Sequence, residues 1–210
     1  MSRMSWAAAS VVVVVAGLAS CVTVNQTPNG PVEILRPNAV TMKGKPMTLE
    51  GTGRAVVGRP APDFAAVAND MGEKRLSDWR GKVVILSTVP SLETAVCDRE
   101  TREFNERASA LGDGCVVLTV SMDLPFAQKR WCGAAGVERV ITLSDSKRRE
   151  VGDRYGVRIR ENGLLARTVT VIDAGGVVRY QEIVPEVASE PNYDAAIEAA
   201  KSAAAPTASR

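Results

Sequence analysis

The sequence predicts an α/β protein in which a central mixed sheet is flanked by helices. Three observations lead there. Residues 82–89 (KVVILSTV) form a near-continuous apolar run of the kind a strand buried on both faces shows. Strands of this type then alternate with segments of helical periodicity, and two β-rich stretches joined by Asp173-Ala174-Gly175-Gly176 close the chain as a hairpin before a last helix. At 210 residues, 45% of them hydrophobic, and with no internal repeat, the chain suits one domain with a substantial core.

Taken in order, residues 39–51 hold two short alternating stretches around Lys43-Gly44-Lys45-Pro46, which predicts an N-terminal β-hairpin. Gly58-Arg59-Pro60-Ala61-Pro62 punctuates the chain, residues 63–67 form a short strand, and the strand over 82–89 stops at Pro90. After Cys97, Phe104, Ala108 and Leu111 recur at helical spacing among charged residues until Gly112 and Gly114 break the pattern. Residues 115–121 (CVVLTVS) read as a second buried strand. A helix over 125–135 follows, with Pro125 at its start, Cys132 late in it, and Gly133 and Gly136 at its fraying end. A strand at 140–143, a polar helix near 146–155, strands at 167–172 and 177–182, and a helix over 192–204 complete the domain. Residues 205–210 read as a frayed tail.

The first 21 residues carry an early Arg3, an uncharged Val- and Ala-rich stretch, and small residues leading to a cysteine, the layout of an export signal. Residues 6–19 are too short for the ~20 residues of a bilayer span. Leu18-Ala19-Ser20-Cys21 resembles the lipobox of bacterial lipoproteins, which implies cleavage after residue 20, lipid attachment at Cys21, and an extracytoplasmic, membrane-anchored protein. Ordinary signal cleavage and an uncleaved anchor are the alternatives. Residues 21–38, polar and rich in Gly and Pro pairs, are expected to be a flexible tether to a domain over 39–204.

Composition removes several chemistries. There is no histidine, which excludes Ser-His and Cys-His pairs, imidazole metal sites and histidine proton shuttles. Lys+Arg 26 against Asp+Glu 24 leaves no electrostatic footprint for a nucleic-acid partner. The four cysteines, at 21, 97, 115 and 132, form no C-x-x-C, so zinc-knuckle and thioredoxin-type dithiol motifs are absent, and neither metal nor cofactor is expected.

Cys97 precedes a helix by sequence and so falls in its first turn, where unpaired backbone N–H groups and the helix dipole favour an anion. The thiolate is the nucleophilic form of cysteine. Position alone also allows a buried, inert cysteine. Cys115, opening an apolar strand, reads as structural filler. Taken singly, Thr94 suits a helix cap and Arg167 a solvated charge at a strand end.

The pattern Pro90-x-x-x-Thr94-x-x-Cys97 resembles the active-site motif of the peroxiredoxins. VPSLETAVCDRETREFN, SMDLPFAQKRWCG and GLLARTVTVID are similar, in order, to three signature segments of the thiol peroxidase branch, the atypical two-cysteine peroxiredoxins, and the likeness spans about residues 39–200. The resemblance implies a thioredoxin-like fold, hydroperoxide substrates, a thioredoxin-like reductant and a homodimer. It also implies Cys97 as the peroxide-reducing cysteine, Thr94 and Arg167 as the groups that orient and polarise peroxide and thiolate, Pro90 as the residue fixing the loop, and Cys132 as the cysteine that forms a disulfide with Cys97. A non-enzymatic module with a permanent disulfide, a protein disulfide oxidoreductase and a peroxide sensor are the rival readings.

Overall fold

The computed structural model describes residues 11–17, 20–26 and 33–204. Its centre is a seven-stranded sheet built from β5 (Ala65–Ala68), β6 (Glu73–Arg75), β7 (Val83–Thr88), β8 (Cys115–Ser121), β9 (Val140–Ser144), β11 (Thr168–Ile172) and β12 (Val178–Ile183). The spatial order is β12-β11-β7-β8-β9-β5-β6. β7, β8 and β9 run parallel and the remaining pairs antiparallel, so the sheet is mixed as the alternation of elements predicted. Parallel neighbours need long crossovers, and two helices supply them: α1 (Ala95–Ala108) between β7 and β8, and α2 (Pro125–Ala135) between β8 and β9.

The apolar run of β7 is continuous because both faces of the sheet are covered. Val84 and Leu86 join Leu118, Val120, Phe64 and Tyr155 on one face. Val83 and Ile85 join Val117, Val169 and Val171 on the other, beneath Phe104 of α1 and Ala196, Ile197 and Ala200 of α4 (Tyr193–Ala204). Burying each such aliphatic side chain is worth about 1.5–3 kcal/mol, so this two-sided core dominates the stability of the fold.

The predicted hairpin is β3 (Glu33–Met42) and β4 (Lys45–Gly51), paired from Ile34↔Gly51 to Met42↔Lys45. Its two-residue turn puts Lys43 and Gly44 both at positive φ, 52° and 75°, the backbone of a type I′ turn. The Glu186 carboxylate accepts from both turn N–H groups at 2.9 and 3.0 Å, tying the hairpin to the chain beyond β12. Val40, Met47 and Leu49 then pack with Ile159, Ala166 and Val187. This small core includes Ala166, the residue before Arg167, and Val187.

The N-terminal region differs from the tether expected at residues 21–38. β1 (Val11–Gly17) pairs antiparallel with β2 (Ser20–Gln26), and β2 pairs with β3, which already begins at Glu33. The reason is local: Cys-Val-Thr-Val alternates β-branched residues at the strand period, and Pro37 is absorbed at a register shift between Arg36 and Val40 instead of ending the strand. Residues 1–10, Leu18 and Ala19 of the segment that resembles a lipobox, 27–32 and residues 205–210 lie outside the described residues. Downstream, the helix expected near 146–155 is shorter: α3 spans Glu150–Tyr155, because Arg149 takes a left-handed φ of 58° and Asp145 accepts from the N–H groups of Val151 and Gly152. The two-residue β10 (Arg158–Ile159) pairs with β4.

Candidate active site

β7 ends at Thr88, and the buried Val89 and Pro90 lead into a loop that starts α1. That loop is pinned from β8's end. Asp123 accepts from the Ser91 hydroxyl and the Leu92 N–H, both at 2.8 Å, and from Ser121 at 2.8 Å. A carboxylate spanning three donors of two segments holds the approach to Cys97 in one geometry.

Cys97 is the third residue of α1 and is fully buried. Thr94, just before the helix, would ordinarily turn its hydroxyl onto a free backbone N–H. Here its Oγ1 lies 2.9 Å from Cys97 Sγ, sharing its proton with the Ser91 carbonyl at 3.0 Å. Arg167 Nη2 also donates to the sulfur, at 3.2 Å. Thr94 is exposed while Cys97 is not, so the hydroxyl contact joins the buried sulfur to a residue at the surface.

Arg167, immediately before β11, is 1% exposed, which an unpaired guanidinium would not tolerate. Three holds fix it. Its Nε donates to the Val187 carbonyl at 2.9 Å, its Nη1 pairs with Glu100, and its Nη2 meets Cys97. Glu100 is itself fully buried and accepts from Ser87 at 2.6 Å. Burial drives the Glu100 carboxyl upward while Arg167 opposes that rise, and the charges of Glu100 and Cys97 keep the Arg167 guanidinium above its ordinary value despite its own burial. A pair this deeply buried costs much to desolvate. Its effect is to hold a cation at one fixed point beside the sulfur.

Cys132 sits in the last turn of α2 and packs against a cluster of Val89, Leu92, Cys97 and Trp131. Its sulfur bonds elsewhere, to Thr142 Oγ1 at 3.2 Å and Asn69 Nδ2 at 3.5 Å. Cys97, Cys115 and Cys132 are all free thiols. Two side chains clasp this end of α2 to α1. Trp131 Nε1 donates to Asp98 at 3.0 Å, and Arg102, 5.8 Å over the Trp131 ring, donates to the Ala135 carbonyl at 2.8 Å.

Cys115 starts β8 opposite Val83, whereas Cys97 follows the far end of β7. With about 3.3 Å per strand residue, the sheet itself keeps these two cysteines apart. Burial pushes the Cys115 thiol up to about 11, in keeping with an inert packing residue. The backbone at Cys21 lies in β2, opposite Ala16.

The structure thus brings together Thr94, Cys97 and Arg167, with Pro90 buried in the loop that leads into α1 and Cys132 on the neighbouring helix. Sequence reasoning missed Glu100, Ser87 and Asp123. Glu100 had a usable signal: it stands three residues after Cys97 and so shares its helix face. Chemically, a sulfur within hydrogen-bond reach of both a hydroxyl and a fixed guanidinium suits attack by a thiolate on an electrophile whose departing atom gains negative charge.

Comparison with known proteins agrees. The Redoxin family model matches residues 56–197. A thiol peroxidase of Listeria monocytogenes serotype 4b is 54% identical over 164 residues, covering 78% of this chain and 98% of that one. A thiol peroxidase of Bacillus subtilis is 52% identical over 162 residues, covering 77% and 96%. Among solved structures, a peroxiredoxin-like protein from Aquifex aeolicus superposes with a TM-score of 0.74 at 41% identity, covering 79% of this chain and 97% of that one.

Proposed function

Because the chain belongs to the Redoxin family and is a thiol peroxidase of the peroxiredoxins, we propose that it reduces hydrogen peroxide and organic hydroperoxides through a Cys97 sulfenic acid and a Cys97–Cys132 disulfide. The convergence of Thr94 Oγ1 at 2.9 Å and Arg167 Nη2 at 3.2 Å on the Cys97 sulfur carries this reading.

In the first step the Cys97 thiolate attacks the terminal peroxide oxygen. An S–O bond forms, the O–O bond breaks, and the departing oxygen takes a proton to leave as water or alcohol. Thr94 holds the incoming peroxide by hydrogen bonding, and Arg167 stabilises the charge that builds on the departing oxygen. Glu100 and Val187 act through Arg167, as positioning residues. In the second step the Cys132 thiol condenses with the sulfenic acid, releasing water. A disulfide needs α-carbons within about 7 Å, and the two cysteines lie on different helices, so the end of α2 unwinds first. A thioredoxin-like dithiol then reduces the disulfide by exchange.

In the same reading the chain is exported, cleaved before Cys21 and held at a membrane by lipid, with a thioredoxin-like partner on that side. Cleavage there would take away β1 and leave β2 as an edge strand on β3; among the described residues the fully buried core begins at Val40. Leu124 and Phe126, 60% and 66% exposed at the start of α2, support a homodimer by offering apolar surface beside the site.

Single-turnover oxidation of the reduced protein by hydrogen peroxide and cumene hydroperoxide tests the reading. Oxidation should be abolished in Cys97→Ser, slowed in Arg167→Ala and arrested at the sulfenic acid in Cys132→Ser. Oxidation no faster than a free thiol, with all variants alike, would sink it.

A further inference from the structure

The register between β5 and β9 runs Val67↔Ser144, Ala68↔Leu143, so Asn69, the residue that follows β5, arrives beside Thr142. Asn69 Nδ2 donates to Thr142 Oγ1 at 2.9 Å. Thr142 is 2% exposed, and α2, packed across β9, lowers Cys132 Sγ onto both groups, 3.2 Å from the hydroxyl and 3.5 Å from the amide nitrogen. With one lone pair of Thr142 taken up by Asn69, its proton is free to point at the sulfur, and the second amide hydrogen of Asn69 points there too.

Asn69 brings a cost with it. Its Oδ1 is buried and finds no protein partner among the described residues. A buried acceptor left unpaired works against folding, so stability of the fold is a poor reason for an asparagine here. Its two nitrogen contacts, to Thr142 and Cys132, are what the side chain supplies.

We propose that Asn69 and Thr142 form a latch that holds Cys132 in the folded last turn of α2 and sets the rate at which it is released to Cys97. The proposal rests on the reading of Cys132 as the resolving cysteine. In that step the Cys132 thiol gives up its proton and its sulfur displaces the sulfenic oxygen. The S–S bond forms, the S–O bond breaks, and the oxygen leaves as water. Before this can happen the sulfur must give up both contacts. Asn69 and Thr142 touch no reacting atom of Cys97, so they are positioning residues that govern the second step and leave the first alone.

The test follows the sulfenic acid to disulfide conversion by stopped flow, with Trp131 fluorescence as the signal and mass spectrometry of quenched samples as the identity check. Removing one neutral hydrogen bond from the latched state should speed release about three- to tenfold. Asn69→Ala and the near-isosteric Thr142→Val should each show this gain, Thr142→Ser should return to the wild-type rate, and the rate of peroxide attack should not change in any of them. Asn69→Ala should also melt no lower than wild type. Faster resolution lowers the fraction of protein driven to the sulfinic acid at high peroxide, which gives an independent reading of the same quantity. Unchanged or slower resolution in both Asn69→Ala and Thr142→Val overturns the latch. A Cys132→Ser variant that still closes an intrachain disulfide overturns instead the assignment of Cys132, and the two failures are told apart by running that variant alongside.

Discussion

Gly133 offers a direct handle on the helix unwinding that the proposed second step requires. It lies in the last turn of α2, one residue after Cys132, is exposed, and a Cβ built on it would meet nothing within 4 Å. Its φ is not in the left-handed region, unlike that of Gly136, which ends the helix at φ 66° with its N–H on the Cys132 carbonyl at 3.1 Å. Gly133→Ala therefore changes no contact and acts on helix propensity alone, favouring the helical turn by about 1 kcal/mol. If that turn must open before Cys132 reaches Cys97, the population of the open form falls about fivefold, since 1.4 kcal/mol corresponds to a factor of ten. Disulfide formation should slow by the same factor while sulfenic acid formation keeps its wild-type rate. The measurement is a two-phase stopped-flow trace with excess peroxide, each phase assigned by mass spectrometry. A variant that melts higher yet resolves at the wild-type rate would refute the claim that the end of α2 unfolds on the way to the disulfide.

Three further outcomes are expected. Thr94→Val, which removes the hydroxyl 2.9 Å from Cys97 Sγ, should slow peroxide attack by about 10²–10³, while Thr94→Ser stays within a few fold, read as the second-order rate under pseudo-first-order peroxide. Glu100→Ala leaves the buried Arg167 cation without its carboxylate and should cost about 3–5 kcal/mol in urea unfolding; the double variant Arg167→Met/Glu100→Leu should recover most of that stability and none of the activity. Burial lifts the Asp145 carboxyl to about 6, against the pull of the Val151 and Gly152 N–H groups. An acid raised on folding stabilises most below its unfolded value, near 4, and that contribution is lost as pH climbs through 6. The urea midpoint of the wild type relative to Asp145→Asn should therefore fall between pH 4 and pH 7, and a flat difference would show that the cap holds its charge in the fold without penalty.

The strands and helices that carry the site were legible because their signals are local. The run over 82–89 needs only its own composition to read as a doubly covered strand, and Pro125 and Gly136 mark both ends of α2. Cys97 and Thr94 were visible as a motif with spacing, and Arg167 only through the resemblance of its segment to a family signature. What escaped was the support around them. The hold on Arg167 comes from a carbonyl at Val187 and a carboxylate at Glu100, 20 positions later and 67 earlier, and a carbonyl has no signature in any sequence. Asn69 reaches Cys132 only through strand register, which short strands such as β5 do not announce. The strand character of residues 20–26 was overridden by the polar, Gly- and Pro-rich look of the residues that follow.

The Arg167–Glu100 pairing has one more consequence, for what the site does after it has reacted. Glu100 already neutralises the guanidinium, so a thiolate at Cys97 is an added negative charge held by a charge-assisted bond from Arg167 and by the Thr94 hydroxyl. Such bonds are roughly twice as strong as neutral ones. Oxidation to the uncharged sulfenic acid discharges the sulfur and downgrades both contacts in a single event. In the proposed cycle the first turn of α1 is thus gripped most firmly before peroxide arrives and loosens once peroxide has been consumed, so a chemical change at one atom gives slack at the Cys97 end of the bond that the unwinding of α2 then allows to close.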